Sequence, residues 1–203
     1  VISKEKNYSN YDFKKPNRIN AEQLKAFSAM HDKMLRDFIT DLSSMLRKIV
    51  DVKLYSIEQM TYGEFILSIP QITSLNTLSI KPLEGRIVIE CNPAISHKII
   101  AELLGSGAVN TSDNIDRELT EIEIEILEHF YKMFIKNLYK SWNDVSTLNF
   151  KIESRDTNAN AIQIVSDHEI VLLVVLEITI DEESGFLSIC YPISYFEALL
   201  NKI

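Results

Sequence analysis

Apolar residues recur at helical spacing along two long stretches of this chain, about a hundred residues apart, and each stretch leads into strand-like sequence. From Ala21 to about Lys48 the apolar positions are Leu24, Phe27, Met30, Met34, Phe38, Leu42, Met45 and Ile49. They predict one amphipathic helix of ~42 Å at 1.5 Å per residue. Its start is marked three ways: Asn20 can accept from an orphan amide, Gln23 can reach back, and Ile19 can pack on Leu24. The second helix repeats the grammar. Thr120 caps, Glu123 completes the box, Leu119 and Ile124 form the staple, and the expected buried stripe runs Ile122, Ile126, Phe130, Phe134, Leu138 and Trp142.

Strands are expected after each helix. Val52 to Ile57 alternates, and Phe150-Lys151-Ile152 echoes it. Leu75 to Ile80 and Gly85 to Cys91 predict a pair turning at Leu83-Glu84-Gly85. Ile170 to Ile180 and Phe186 to Cys190 predict another, turning at Glu183-Ser184-Gly185. The uninterrupted run Ile170 to Leu176 suits a strand buried on both faces. Cys91-Asn92-Pro93 and Cys190-Tyr191-Pro192 close the glycine-led strands, and each proline leads into a short helical segment with Leu103-Leu104 or Leu199-Leu200. Caps, glycines, Cys-x-Pro and Leu-Leu thus recur in one order. The expected fold is α/β, a pseudo-twofold duplication with two long helices on a sheet built from two similar halves. The halves span about 19–104 and 119–203, joined by a loop at 105–118, and form a single domain. Residues 1–18 read as a leader, and Thr157 to Ala161 as an irregular interruption.

Composition narrows the function classes. A net charge of −8 leaves no surplus of Lys and Arg to neutralise phosphates, which disfavours nucleic acid or an anionic membrane as the main partner. The longest apolar run is far short of the ~20 residues that cross a bilayer. Two cysteines make no disulfide framework and read as small buried thiols in a reducing compartment. The chain is expected to be cytoplasmic. Val1 in place of Met is what a fragment of a longer protein would show.

No catalytic constellation emerges. His31, His97, His129 and His168 stand apart and read as surface or satisfied residues, so neither metal nor cofactor is expected. The acidic run Glu118, Glu121, Glu123, Glu125 and Glu128 lies in the first turns of a helix, where the dipole favours negative charge, and reads as a solvated face. Gly105-Ser106-Gly107 is neither a nucleophile elbow nor a phosphate loop, since Leu104 precedes it and no Lys-Ser/Thr follows. Two readings of Gly105 to Ala108 stay open: a helix C-cap, or a contact surface where small side chains let another backbone approach.

Four strings together resemble the flagellar motor switch protein FliM family. They are Tyr11-Asp12-Phe13-Lys14-Lys15-Pro16-Asn17-Arg18, Tyr62-Gly63-Glu64-Phe65 with Pro70 after it, Lys81-Pro82-Leu83-Glu84-Gly85, and Arg117-Glu118-Leu119-Thr120-Glu121-Ile122-Glu123. The resemblance covers nearly the whole chain and corresponds to that family's middle domain, whose pseudo-twofold fold is shared with the chemotaxis phosphatases CheC and CheX. It implies a non-enzymatic subunit of the cytoplasmic rotor ring, at the flagellar basal body on the inner membrane. Neighbouring copies would pack side by side, and the top of the domain would hold the middle region of the torque subunit FliG.

The family's Gly-Gly-x-Gly contact loop falls on Gly105, Ser106, Gly107 and Ala108, with Ser106 and Ala108 departing from glycine. Val109, Asn110 and, more weakly, Arg117 complete the implied protein-binding set. The peptide that captures phosphorylated CheY and the domain that joins FliN are both expected outside this chain. A rival reading is a CheC-type phosphatase, which needs Glu-x-x-Asn on a long helix. No Glu here has Asn three positions on, and Glu128 is followed by Tyr131. A generic adaptor of the same fold is the third reading.

Overall fold

Residues 19–105, 117–200 and 202 are described in this computed structural model. The elements run α1 (Ala21–Leu46), β1 (Val50–Thr61), α2 (Tyr62–Ser68), β2 (Ile72–Lys81), β3 (Gly85–Cys91), α3 (Pro93–Leu103), α4 (Glu121–Asn143), β4 (Asn149–Asn158), β5 (Ile170–Ile180), β6 (Glu183–Pro192) and α5 (Ile193–Leu200). The strands form one antiparallel sheet in the order β1-β5-β6-β3-β2-β4. Exchanging β1 with β4, β2 with β5 and β3 with β6 reverses that order and leaves it otherwise unchanged. The duplication is therefore intertwined: each half's hairpin receives the other half's first strand on its outer edge. Neither half holds its first strand itself.

The long helices form as their caps predict. Asn20 accepts from the Gln23 amide at 2.9 Å while the Gln23 side chain accepts from the Asn20 amide at 3.0 Å. Thr120 and Glu123 do the same for α4. Both helices lie on one sheet face, where Phe27, Phe38, Phe130, Phe134 and Trp142 meet Leu78, Ile87, Ile89, Leu176 and Leu187. Phe38 and Phe134 meet edge-on with ring centroids 5.0 Å apart. The opposite face is covered at one end by α2 and by residues 159–169. There Tyr62 and Phe65 pack on Leu75, Val88, Leu173 and Cys190, and the Tyr62 hydroxyl donates to the Ile162 carbonyl.

Several expectations are corrected. Six positions four apart on α4 drift by about 40° a step, so they cannot all share one face. Ile122 is 73% exposed, and Leu127 and Tyr131 join the buried stripe instead. Ile49 is likewise exposed, because α1 stops at Leu46 and turns through Arg47 at φ 54°. The second hairpin turns at Asp181-Glu182, since Ile180 already pairs with Glu183. Pro192 ends β6, whereas Pro93 does open α3. Residues 157 and 158 belong to β4, so the interruption starts at Ala159. The short helix α2 gave no periodic signal, although Thr61-x-x-Glu64 is a third capping box.

Cys91 and Cys190 are both free and fully buried, on opposite faces of the sheet. Cys91 lies six positions after Gly85 but Cys190 only five after Gly185, and one residue of slip turns a side chain to the other face.

Candidate protein-binding site

The site expected from sequence lies where α3 ends and α4 begins. Leu104 closes α3 in helical geometry, and Gly105 follows at φ +73° with its amide on the Glu102 carbonyl at 3.1 Å. That left-handed angle supports the C-cap reading for Gly105. A Cβ built there meets none of the described residues within 4 Å, so on their side the backbone lies open. Ser106, Gly107, Ala108, Val109 and Asn110 lie outside the described residues.

Arg117 is held in place. Its guanidinium donates to both Glu123 carboxylate oxygens, at 2.8 and 2.6 Å, and to the Glu118 carbonyl at 3.0 Å. Glu123 also accepts from the Thr120 amide and hydroxyl. Those bonds, with the Arg117 bond the largest, pull the Glu123 carboxyl down to about 2. Arg117 thus braces the capping box that starts α4.

Around this end the surface is apolar. Leu104, at the end of α3, is 63% exposed, and Ile122, in the first turn of α4, is exposed as well. A groove of about 700 Å³ runs between the ends of α1, α3 and α4, lined by Met45, Leu103, Ile122, Ile126 and His129, with Glu121 and Glu125 at its rim. Ile122 was read from sequence as core. The signal that could have placed it outside is its position in the first turn of α4, ahead of the residues that reach the sheet.

The other sequence candidates resolve structurally. His31 is buried, with Nδ1 on the Phe27 carbonyl at 2.9 Å and Nε2 on the Tyr191 hydroxyl at 3.2 Å. Burial lowers it to about 4. Burial pushes both thiols well above the usual range. The acidic run is partly paired. Glu125 and Glu128 both meet Arg155, at 3.1 and 2.6 Å, and Glu128 also meets Lys132. The Tyr131 hydroxyl, where a phosphatase amide would stand, is buried against Ser74 Oγ at 2.6 Å. Among the described residues no group of His, Cys, Asp and Glu could hold a metal ion, and no helix is long and apolar enough to cross a membrane.

Sequence reasoning missed Glu90. It sits in mid-β3 with 2% exposure, accepts from Thr73 Oγ1 at 2.7 Å, and is raised by burial to about 7. An acidic residue between Ile89 and Cys91, in an otherwise apolar run, was the available signal.

The family profile described as "Flagellar motor switch protein FliM" matches residues 20–203. The FliM of Treponema pallidum is 35% identical over 202 residues, covering all of this chain and 58% of that protein. The chain therefore spans a little over half the length of the curated relatives it matches. The H. pylori FliM middle domain is similar at 38% identity and a TM-score of 0.83, covering 91% of this chain and 100% of that one. FliM in the crystal structure of an H. pylori FliG–FliM complex is similar at 39% identity and 0.86 over the same shares. With a match over nearly its whole length, this chain belongs to the flagellar motor switch protein FliM family.

Proposed function

We propose that this chain is the middle domain of a FliM subunit and works as an assembly module of the flagellar rotor, not as an enzyme. It holds the middle region of FliG at the end where α3 gives way to α4, through Gly105 to Asn110 with Arg117 beside them. Neighbouring copies stand side by side in the ring on the cytoplasmic face of the inner membrane. Parts of FliM beyond this domain take up phosphorylated CheY and join FliN. The domain relays the signal by having unequal contacts in two ring states, since a ligand shifts an equilibrium only through unequal affinity.

The observation that carries this reading is the likeness to FliM in the FliG–FliM complex, at 39% identity and a TM-score of 0.86 over 91% of the chain. The exposed Leu104 next to Gly105 in the chain, and the exposed Ile122 of the apolar groove, support the same end as a contact surface. The non-enzymatic reading is supported by Tyr131 and Glu128. The hydroxyl is spent on Ser74 and the carboxylate on Arg155 and Lys132, so neither is placed to orient an attacking water.

Incubating the purified chain with the FliG middle region, and separately with phosphorylated CheY, tests both halves of the proposal. Retention of FliG and an unchanged CheY dephosphorylation rate are expected. Accelerated hydrolysis would instead establish the CheC-type alternative.

A further inference from the structure

A second pocket lies on the sheet face opposite α1 and α4. It has a volume of about 420 Å³ and opens between β1 and the end of α2. Its wall is made by a β-bulge. Leu54 pairs with Leu176 and Ser56 with the adjacent Val175, so Tyr55 is an extra residue in β1. Such a bulge re-aims the side chains around it. Here it resets the alternation of the strand, so that Ser56, Glu58 and Met60 join Tyr55 along this pocket. Tyr55 is left 64% exposed, and its ring meets Phe186 edge-on at 5.2 Å.

The pocket carries two carboxyl groups at different depths. Glu58 is exposed and has no ion pair or hydrogen bond among the described residues. Glu90 lies at the buried floor beside Ser188 and is held by Thr73. None of the described residues lining the pocket is basic. The remaining wall is apolar, including Met60, Ile69, Leu173 and Val175. An exposed carboxylate with no counter-charge among the described residues, an aromatic pair and an apolar wall complement a cation carried on an apolar stem. A planar guanidinium suits them better than an ammonium, because it can stack on the rings and fork to a carboxylate at once.

We propose that this pocket receives an arginine side chain of a partner protein, with the stem against the apolar wall, the guanidinium over Tyr55 and Phe186, and Glu58 as its counter-charge. The pocket is lined by β1, the end of α2, β3, β5 and β6, not by the ends of α3 and α4, so the two contacts can be tested separately.

The test titrates the isotope-labelled chain with a capped Gly-Arg-Gly peptide, following backbone amide signals. Its citrulline counterpart, neutral and nearly isosteric, and its lysine counterpart are run in parallel. The arginine peptide should move the signals of Tyr55, Glu58 and Phe186, and the citrulline peptide should not. Glu58→Gln, an exposed change that leaves the fold alone, should weaken the arginine peptide by about tenfold, the value of one charge-assisted pair. Tyr55→Ala should weaken it as well, with the spectrum otherwise unchanged. An equal response to citrulline or to lysine overturns the assignment, and so does the absence of any shift at millimolar arginine peptide.

Discussion

A Cβ added to Gly85 would meet Cγ of Tyr195 at 2.5 Å, so the ring of α5 rests directly on the start of β3. The other half repeats the relationship. A Cβ at Gly185 would meet Ile95 Cγ1 of α3 at 2.5 Å and the Asn92 cap at 2.6 Å. The two glycines stand a hundred residues apart because each half seats its short helix on the other half's glycine. Gly85→Ala and Gly185→Ala are each expected to cost about 1–3 kcal/mol in urea unfolding, as overpacking does. For Gly85→Ala, part of that loss should disappear in a Tyr195→Ala background, since residues in contact do not add.

Glu90 predicts a specific pH dependence. Its folded carboxyl titrates at about 7, above the usual 4.5 of a glutamate, because burial disfavours the charge. The native state therefore holds this proton longer than the unfolded chain does. Its stabilising contribution is complete below about 4.5 and is lost as pH rises through about 7. Glu90→Gln keeps an oxygen for Thr73 and removes the titration. The variant should gain stability relative to the parent across that window, by on the order of 3 kcal/mol at the top. Equilibrium unfolding at pH 5 and pH 8 measures it, and a constant difference between the two pH values would contradict this account.

Much of this architecture was legible in the sequence for a simple physical reason. Caps, hairpins and amphipathic stripes are local, and Asn20, Thr120, Gly85 and Gly185 each declare an element within a few residues. What stayed hidden was non-local. The palindromic strand order and the seat of Tyr195 on Gly85 depend on which elements meet. Ile122 was misread because a uniform four-residue spacing looks like a stripe yet winds around the helix. Glu90 was passed over because its partners, Thr73 and Ser188, come from two other strands. Of the expected binding residues, Gly105 follows the end of α3 and Arg117 precedes α4, and Ser106 to Asn110 lie outside the described residues.

The Arg117–Glu123 pair should behave as part of a cap. Arg117→Ala is expected to cost about 1 kcal/mol or less, as partly exposed pairs do. That cost should vanish when Glu123 is already Gln. A double-mutant cycle in thermal unfolding reads the coupling directly.

Tyr131 belongs to the core in this account. Tyr131→Phe leaves the Ser74 hydroxyl without its partner on α4 and should lower stability by about 1–2 kcal/mol. Tyr131→Asn, which supplies the amide a CheC-type phosphatase uses, should destabilise more and still leave CheY dephosphorylation at its own rate. The phosphate-release assay that would detect any gain is straightforward.

The central claim is that the α3–α4 end holds the torque subunit. Calorimetric titration of the FliG middle region into this chain and into its Gly107→Trp variant tests it most directly. The account predicts that the parent binds and that the variant, unfolding at the same temperature, binds at least about tenfold more weakly, a loss of about 1.4 kcal/mol. Equal affinity of the two chains would contradict it.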